Sequence, residues 1–293
     1  MKFDAHCHTD CSDGNLSIVE RMQMILSLGF DAATITDHDF VSSQQIALAK
    51  SVAPDLPFVP GIEISALHSG KSVHVLGYFI NPEHPSLIKY ISEMYQRELS
   101  ITKLMLSSLS TVGVDINLEE LKSNSLHSIH YLRLLKVLAA KVGYDRQKTF
   151  NYYMNSLFYH GYKWLDFYFI TVREAIDLIH SCGGVSVLAH PGYGNEPFMG
   201  VLDFLQHDEL AIRKYVEWGL DGIEVHSPSH SNEDFTFFLT MADKYQLLVT
   251  EGSDCHGNDP YLGPSLMDTF NYKLADGYEK LVELHENIRT KYL

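Results

Sequence analysis

The sequence predicts an α/β barrel of about seven strands interrupted by a helical insertion, and three observations predict it. Short apolar runs alternate with helical segments over residues 1–84 and again over 167–293, and repeated strand-then-helix units give parallel β surrounded by helices. Over about 85–166 no convincing strand occurs, while Ile91, Met94, Leu99, Leu104 and Leu109 mark a long helical run. Histidines and carboxylates fall at the ends of the apolar runs, the end where a parallel barrel gathers its active face. The barrel domain is therefore expected over 1–84 and 167–293, with 85–166 as an inserted helical subdomain covering the mouth.

Each element has its own punctuation. A first strand over 2–8 precedes a helix over 16–28, opened by Ser17 and Glu20 at capping-box spacing and stopped by Gly29. A strand over 32–36 and a helix over 43–52 follow, then strands over 58–65 and 72–79 joined by a turn at Ser69-Gly70-Lys71. After the insertion, Thr171 and Glu174 open a helix over 172–182 that Gly183-Gly184 closes. Strands are predicted over 185–189, 222–225 and 247–250, with helical stretches between them and a last helix over 275–291. There is no internal repeat and no low-complexity tract.

With 293 residues, 45% of them hydrophobic, the chain can bury the core of one large barrel or two modest domains. A net charge of -15, from 22 Lys and Arg against 37 Asp and Glu, opposes tracking along long nucleic acid. A small anionic substrate stays compatible with that charge if metal ions supply the positive field. No basic start leads into an apolar run and none reaches membrane-spanning length, so a soluble, cytoplasmic protein without membrane contact is expected. The cysteines at 7, 11, 182 and 255 show no CxxC spacing, and neither disulfides nor a zinc site at Cys7 and Cys11 is expected. Histidine is the unusual entry, at 16 residues.

The histidines gain meaning from position. His6-Cys7-His8 ends the first strand, where period-two geometry sends both imidazoles to one face and Cys7 to the other. Asp13 follows in the next loop. Asp37-His38-Asp39 ends the second strand, placing an imidazole between carboxylates able to ligate or orient it. Glu63 is an acid within an apolar run that contains no Lys or Arg, and a buried carboxylate normally needs a cation. His74 interrupts the next strand, His190 closes another before Pro191-Gly192, and Asp254-Cys255-His256 again sets two ligand types at i and i+2 with a cysteine turned away. Taken singly, each has a bland reading as a core histidine or a helix-capping acid; nine of them at one barrel mouth point to a metal cluster.

Through His6-x-His8, Asp13, Thr36-Asp37-His38, Glu63, His74, Leu188-Ala189-His190-Pro191 and Ser253-Asp254-x-His256 the chain resembles the polymerase and histidinol phosphatase (PHP) superfamily over almost its whole length. It is most similar to the stand-alone phosphoesterases of that group, which include 3′,5′-bisphosphate nucleotide phosphatases and a 5′-to-3′ exoribonuclease. The resemblance implies a distorted (β/α)7 TIM-like barrel with a trinuclear site: His6, His8, Glu63 and Asp254 on one ion, Glu63, His74 and His190 on a second, Asp13, His38 and His256 on a third. Mixed imidazole and carboxylate donors suit two or three Mn, Fe or Zn ions better than Mg or Ca. Where the family reads Arg-Pro-His-x-x-Arg, this chain has Ser128-Ile129-His130-Tyr131-Leu132-Arg133, and Glu251 stands where Gly is commoner.

What the resemblance implies is a phosphate-monoester hydrolase acting on small nucleotides, foremost 3′,5′-bisphosphates such as adenosine 3′,5′-bisphosphate, by a hydroxide that metal ions make available near neutral pH. Glu63 and Asp254 are central to that chemistry, His230 or His226 is the candidate proton donor to the leaving oxygen, and Arg133 aided by His130 is the candidate grip on a second phosphate. Alternatives are 5′-to-3′ cleavage of short 5′-phosphorylated oligonucleotides, histidinol-phosphate hydrolysis, and a non-catalytic metal-binding domain. A metal-dependent amidohydrolase would share the HxH and the terminal Asp but normally carries a ligating Lys, absent here.

Overall fold

In the computed structural model the described residues are 1–121, 126, 131–161, 170–192, 207–258, 267 and 269–291. Element order is α1 (Ile18–Ser27), β1 (Ala33–Ile35), α2 (Ser43–Val52), β2 (Phe58–His68), β3 (Lys71–Tyr78), α3 (Pro85–Thr111), α4 (Leu118–Leu121), α5 (Tyr131–Lys141), α6 (Arg146–Tyr159), α7 (Val172–Ser181), β4 (Val185–Leu188), α8 (Glu209–Glu217), β5 (Gly222–His226), α9 (Asn232–Tyr245), β6 (Leu248–Glu251) and α10 (Gly277–Lys291). No described helix is long and apolar enough to cross a membrane.

Local chemistry accounts for most of these limits. The Ser17 hydroxyl accepts from the Glu20 amide while Glu20 returns to the Ser17 amide, and Thr171 with Glu174 does the same for α7. Gly29 takes the left-handed conformation, φ +67°, that ends α1 without steric cost. Both helices lay an apolar face on the sheet, Ile18, Met22 and Ile25 from α1 and Val172, Ala175, Ile176 and Ile179 from α7.

The sheet has six strands in the order β1-β2-β3-β4-β5-β6. Its pairing corrects the expectation of an all-parallel set. β3 runs antiparallel to β2 and to β4, whereas β1-β2, β4-β5 and β5-β6 are parallel. The cause is the short turn at Ser69 and Gly70: parallel neighbours need a crossover of a dozen residues or more, and two turn residues permit only a hairpin. The predicted first strand is likewise reduced to two isolated parallel bridges, Phe3 with Ala32 and Cys7 with Cys255. Those bridges still tie this segment to both edges of the sheet. Thr36 N donates to Cys7 O on one side, while Ala5 N donates to Glu251 O and His8 N to Cys255 O on the other.

Helices α3, α5 and α6 within 85–166 form their own apolar cluster, with Met105, Leu109, Leu134, Leu138, Tyr153 and Leu157 buried. The insertion is anchored to the sheet side by α3, whose Tyr90 hydroxyl donates to Asp39.

Candidate metal centre

The ligand atoms come together from two kinds of place: His38, His190, Asp254 and His256 follow the ends of β1, β4 and β6, whereas Glu63 and His74 project from inside the antiparallel pair β2 and β3. His6 Nε2 and His8 Nε2 lie 3.2 Å apart; Glu63 Oε2 is 3.1 Å from the first and 3.2 Å from the second, and Asp254 Oδ1 is 3.4 Å and 3.1 Å from them. Donors bound to one ion by bonds of about 2.0–2.2 Å stand on the order of 3 Å apart, so these four atoms have the spacing of one coordination sphere.

Two further groups adjoin it. His38, Glu63 and His74 form one, and His8, Asp13, His38 and His256 the other. Glu63 joins the groups: its Oε1 lies 2.9 Å from His74 Nδ1 and 3.0 Å from His190 Nε2, and its Oε2 lies 3.3 Å from His38 Nδ1. Asp13 Oδ2 is 2.9 Å from His256 Nε2. All nine expected ligands therefore converge, with a finer partition than expected. His38 turns one nitrogen to Glu63 and the other toward Asp13, and His8 turns Nε2 to the first group and Nδ1 toward Asp13.

A cation fits this donor set. Glu63 Oε2 is fully buried with three imidazole nitrogens near it, yet none meets it in hydrogen-bond geometry, and Asp13 Oδ2 and His8 Nδ1 are in the same state. Buried carboxylate oxygens normally hydrogen-bond, pair or coordinate a metal. The pKa pattern agrees. Burial opposes ionisation of Glu63, Asp13 and Asp254, but the surrounding imidazoles overcome it and hold all three below the ordinary carboxylate range. Burial disfavours the His8 imidazolium, but Asp254 and Glu63 outweigh it and raise His8 to about 10, while burial takes His38 down to about 3 and keeps it neutral.

Several supports escaped the sequence reading. Glu224, buried in β5, sits 3.3 Å from His6 Nδ1 and accepts the His190 amide at 2.8 Å, so it orients two ligands. Asp4 accepts from the amides of His6 and Ser253, from the Ser253 hydroxyl and from Tyr272, joining the segments that carry His6 and Asp254. Asp37 organises the loop to Asp13 through Thr9, Ser12 and Gln45. Arg21 of α1, fully buried, donates to His8 O at 3.0 Å, Cys255 O at 2.9 Å and Cys255 Sγ at 3.2 Å. Asp4 and Glu224 were visible as acids inside apolar runs, the signal that marked Glu63; Arg21 had none, since its partners are carbonyls. The site also holds strained backbone, with positive φ at Asp39 (+52°), His190 (+23°) and Asp254 (+49°). Gly252 is required by close approach, because a Cβ there would meet His6 Cβ at 2.3 Å.

Other expected residues are placed differently. Arg133 donates from Nε to Ser12 O at 2.9 Å and from its terminal nitrogens to Leu121 O and Asp10 O, so in this structure its fork braces the loop leading to Asp13. Lys136 of the same helix donates to Asp13 O and Asn15 Oδ1. His130 lies outside the described residues. His230, the candidate proton donor, is held by main-chain groups. Its Nδ1 lies 2.9 Å from Val225 O and its Nε2 accepts the Gly192 amide at 3.1 Å, which spends both nitrogens on the backbone of the neutral ring. Burial lowers its pKa as well. His226 packs its ring on Phe235, outside the ligand groups. Glu251, unusual in sequence, accepts the amides of Lys273 and Leu274. Cys7 and Cys255 face away from the ligands, as the alternation requires, into the cluster formed with Ile18, Met22 and Ile35.

Comparison with known proteins finds similarity to several that act on phosphate esters. No family model matches the chain. It is 28% identical over 261 residues to a 3′,5′-nucleoside bisphosphate phosphatase of Chromobacterium violaceum, covering 87% of each chain. It is 26% identical over 262 residues to a 5′-3′ exoribonuclease of Haemophilus influenzae, 87% of this chain and 90% of that one. A phosphoribosyl 1,2-cyclic phosphate 1,2-diphosphodiesterase of Eggerthella lenta is 27% identical over 260 residues, 88% of this chain and 95% of that one. In fold, the chain matches a Bifidobacterium adolescentis protein classed as a metal-dependent phosphoesterase, with a TM-score of 0.79 and 24% identity, covering 97% of this chain and 96% of that one.

Proposed function

We propose that this protein is a metal-dependent phosphoesterase of the PHP type that hydrolyses phosphate monoesters of small nucleotides, 3′,5′-bisphosphates foremost. The observation that carries the reading is the four-donor set of His6, His8, Glu63 and Asp254, with the two imidazole nitrogens 3.2 Å apart and each 3.1–3.4 Å from both carboxylates. His6, His8, Glu63 and Asp254 would hold one ion, Glu63 with His74, His38 and His190 a second, and Asp13, His256 and His38 or His8 a third. Divalent ions there lower the pKa of water and offset charge on phosphoryl oxygens, and Mn, Fe or Zn suits the donors.

The chain's own contribution is positioning. Glu224 and Asp4 fix the ring of His6 and the turn before Asp254, and the deep ligands exclude water. The open edge is formed by Asp254 and His256, whose side chains are 20% and 21% exposed against 0% for His6, His8 and Glu63. Substrate phosphate therefore enters past Asp254 and His256. Closure of the sheet into a seven-stranded (β/α)7 barrel by the 2–8 segment is supported by its bonds to both sheet edges. The insertion over 85–166 shields the mouth in this reading, supported by the Arg133 and Lys136 bonds to the 10–15 loop. The setting is the cytoplasm and the partner a small phosphorylated molecule, nucleotide or short oligonucleotide.

Phosphate release from adenosine 3′,5′-bisphosphate, histidinol phosphate and a short 5′-phosphorylated RNA, each with Mn²⁺ and after chelation, tests the reading. Chelator-sensitive turnover highest on the bisphosphate is expected. Hydrolysis that survives chelation, or no phosphate from any of them, would refute it, and mononucleotides released from RNA would favour the exoribonuclease alternative.

A further inference from the structure

A second concavity lies beside the open edge of the metal centre. It has a volume of about 430 Å³, within the range of small-ligand sites, and lies between the carboxyl end of β5, the start of α9 and the 269–273 segment. Two hydrogen bonds tie it to the segments that carry the ligands. His226, on its rim, follows Glu224 by two residues and accepts the Gly252 amide, two residues before Asp254. His230, also on its wall, holds the Gly192 amide next to the His190 turn.

Its lining differs from the centre it adjoins. Phe235, Phe270 and His226 supply ring surface, Asn232 and Asn271 supply amide edges, and Lys273 supplies an ammonium group. Among the described residues no Asp or Glu lines it, in a chain of net charge -15. The Phe235 and His226 rings lie 4.7 Å apart at a tilt of 35°, and Lys273 Nζ stands 5.4 Å from the centre of the Phe235 ring. Among the described residues no carboxylate pairs with the Lys273 ammonium. Lysine over an aromatic ring forms a platform for a flat, electron-rich group, which stacks on the ring and accepts from the ammonium.

We infer that this cavity is a nucleobase subsite: it takes the base of a nucleotide whose phosphate reaches the metals past Asp254, stacking it on Phe235 with Lys273 and the Asn232 and Asn271 amides donating to its ring acceptors. The inference rests on the phosphoesterase reading for the phosphate end, and it gives the nucleotide of that reading a place for its base. Amide and ammonium donors read acceptor positions on purines and pyrimidines alike, so the site prefers bases without strict choice among them.

Calorimetric titration of the full-length protein with adenosine and with ribose 5-phosphate tests the cavity without needing turnover. Adenosine is expected to bind, and in Lys273→Met and in Phe235→Leu its affinity falls at least tenfold relative to that for ribose 5-phosphate. Lys273 is exposed, so the first variant removes donors without touching the core; the second keeps apolar bulk and removes only the ring face. No adenosine binding by the wild type, or binding that both variants retain, overturns the assignment. Turnover of p-nitrophenyl phosphate by the Mn²⁺-loaded wild type is measured alongside. If that turnover is absent while adenosine binding still depends on Lys273, the phosphoesterase reading falls and the subsite stands.

Discussion

Residues 6, 8, 254 and 256 leave two neighbouring chain segments on one side, and residues 7 and 255 leave the same segments on the other. The inner side is a crowd of imidazoles and carboxylates, fully or largely buried, whose charges hold one another far from ordinary pKa values. On the outer side are thiols among Ile18, Met22 and Ile35, where burial pushes the Cys7 thiol up and Cys7 Sγ donates to Thr34 O. Arg21 stands on this outer side and reaches the backbone of both segments. The difference separates two kinds of order in one place: the inner face needs a cation to balance its donors, whereas the outer face is held by packing and by hydrogen bonds that no cation affects.

The largest expected effect breaks the inner side alone. Asp254→Ala or His8→Ala should lose bound metal and lower turnover by well over 100-fold, since even outer partners of ligands cost about 10–100-fold. The apolar clusters behind them are untouched, so circular dichroism should show a folded chain. Full metal occupancy in either variant, by elemental analysis, would contradict the ligand assignment.

Next comes the strut between the two sides. Arg21→Met strips the His8 carbonyl of its buried donor at a cost of about 1–3 kcal/mol, leaves Cys255 O with the His8 amide alone, and loosens the segments that carry His6, His8, Asp254 and His256. A lower melting temperature together with roughly tenfold weaker metal binding is expected, with Arg21→Lys restoring part of both. A lower melting temperature with unchanged metal affinity would mean that Arg21 supports the fold only.

Protons give a finer test. In metal-free protein His8 stays protonated to about pH 10 against an ordinary value near 6.5, so its ion pairs add stability that is complete below pH 6.5 and lost as pH rises through about 10. A ligating imidazole must give up that proton, so metal binding should release protons and tighten with pH. Chelated protein should thus lose melting temperature between about pH 7 and 10 while the metal-loaded form changes less. Calorimetry in buffers of differing ionisation enthalpy checks the proton release; none near neutral pH would contradict the charged state of His8.

The same two sides explain what the sequence made legible. The residues that converge could be picked out because polar side chains at the ends of apolar runs, or interrupting them as Glu63 and His74 do, are conspicuous, and alternation told Cys7 and Cys255 from their neighbours. Strand direction could not be read from periodicity, which is the same for parallel and antiparallel pairs; the Ser69-Gly70 turn held that information and argued for a hairpin. Arg21 and Arg133 were opaque for a shared reason. Each satisfies its guanidinium with main-chain carbonyls, and every residue carries a carbonyl, so no residue type marks the partner. The partners of His230 were hidden in the same way, since both of its nitrogens face main-chain groups, Val225 O and the Gly192 amide.

The smallest effect should come from the thiols. Cys7→Ser and Cys255→Ser place a hydroxyl where a sulfur packs among apolar side chains, and each site offers that hydroxyl a partner, Thr34 O for residue 7 and the Arg21 guanidinium for residue 255. The partners offset part of the cost of burying a more polar atom, leaving a loss on the order of 1 kcal/mol. Neither sulfur belongs to any of the three ligand groups, so metal content and chelator sensitivity should equal those of the wild type while the melting temperature falls slightly. An ion lost on either substitution would show that the sulfur side reaches the metals, and would remove the distinction between a face organised by cations and one organised by packing.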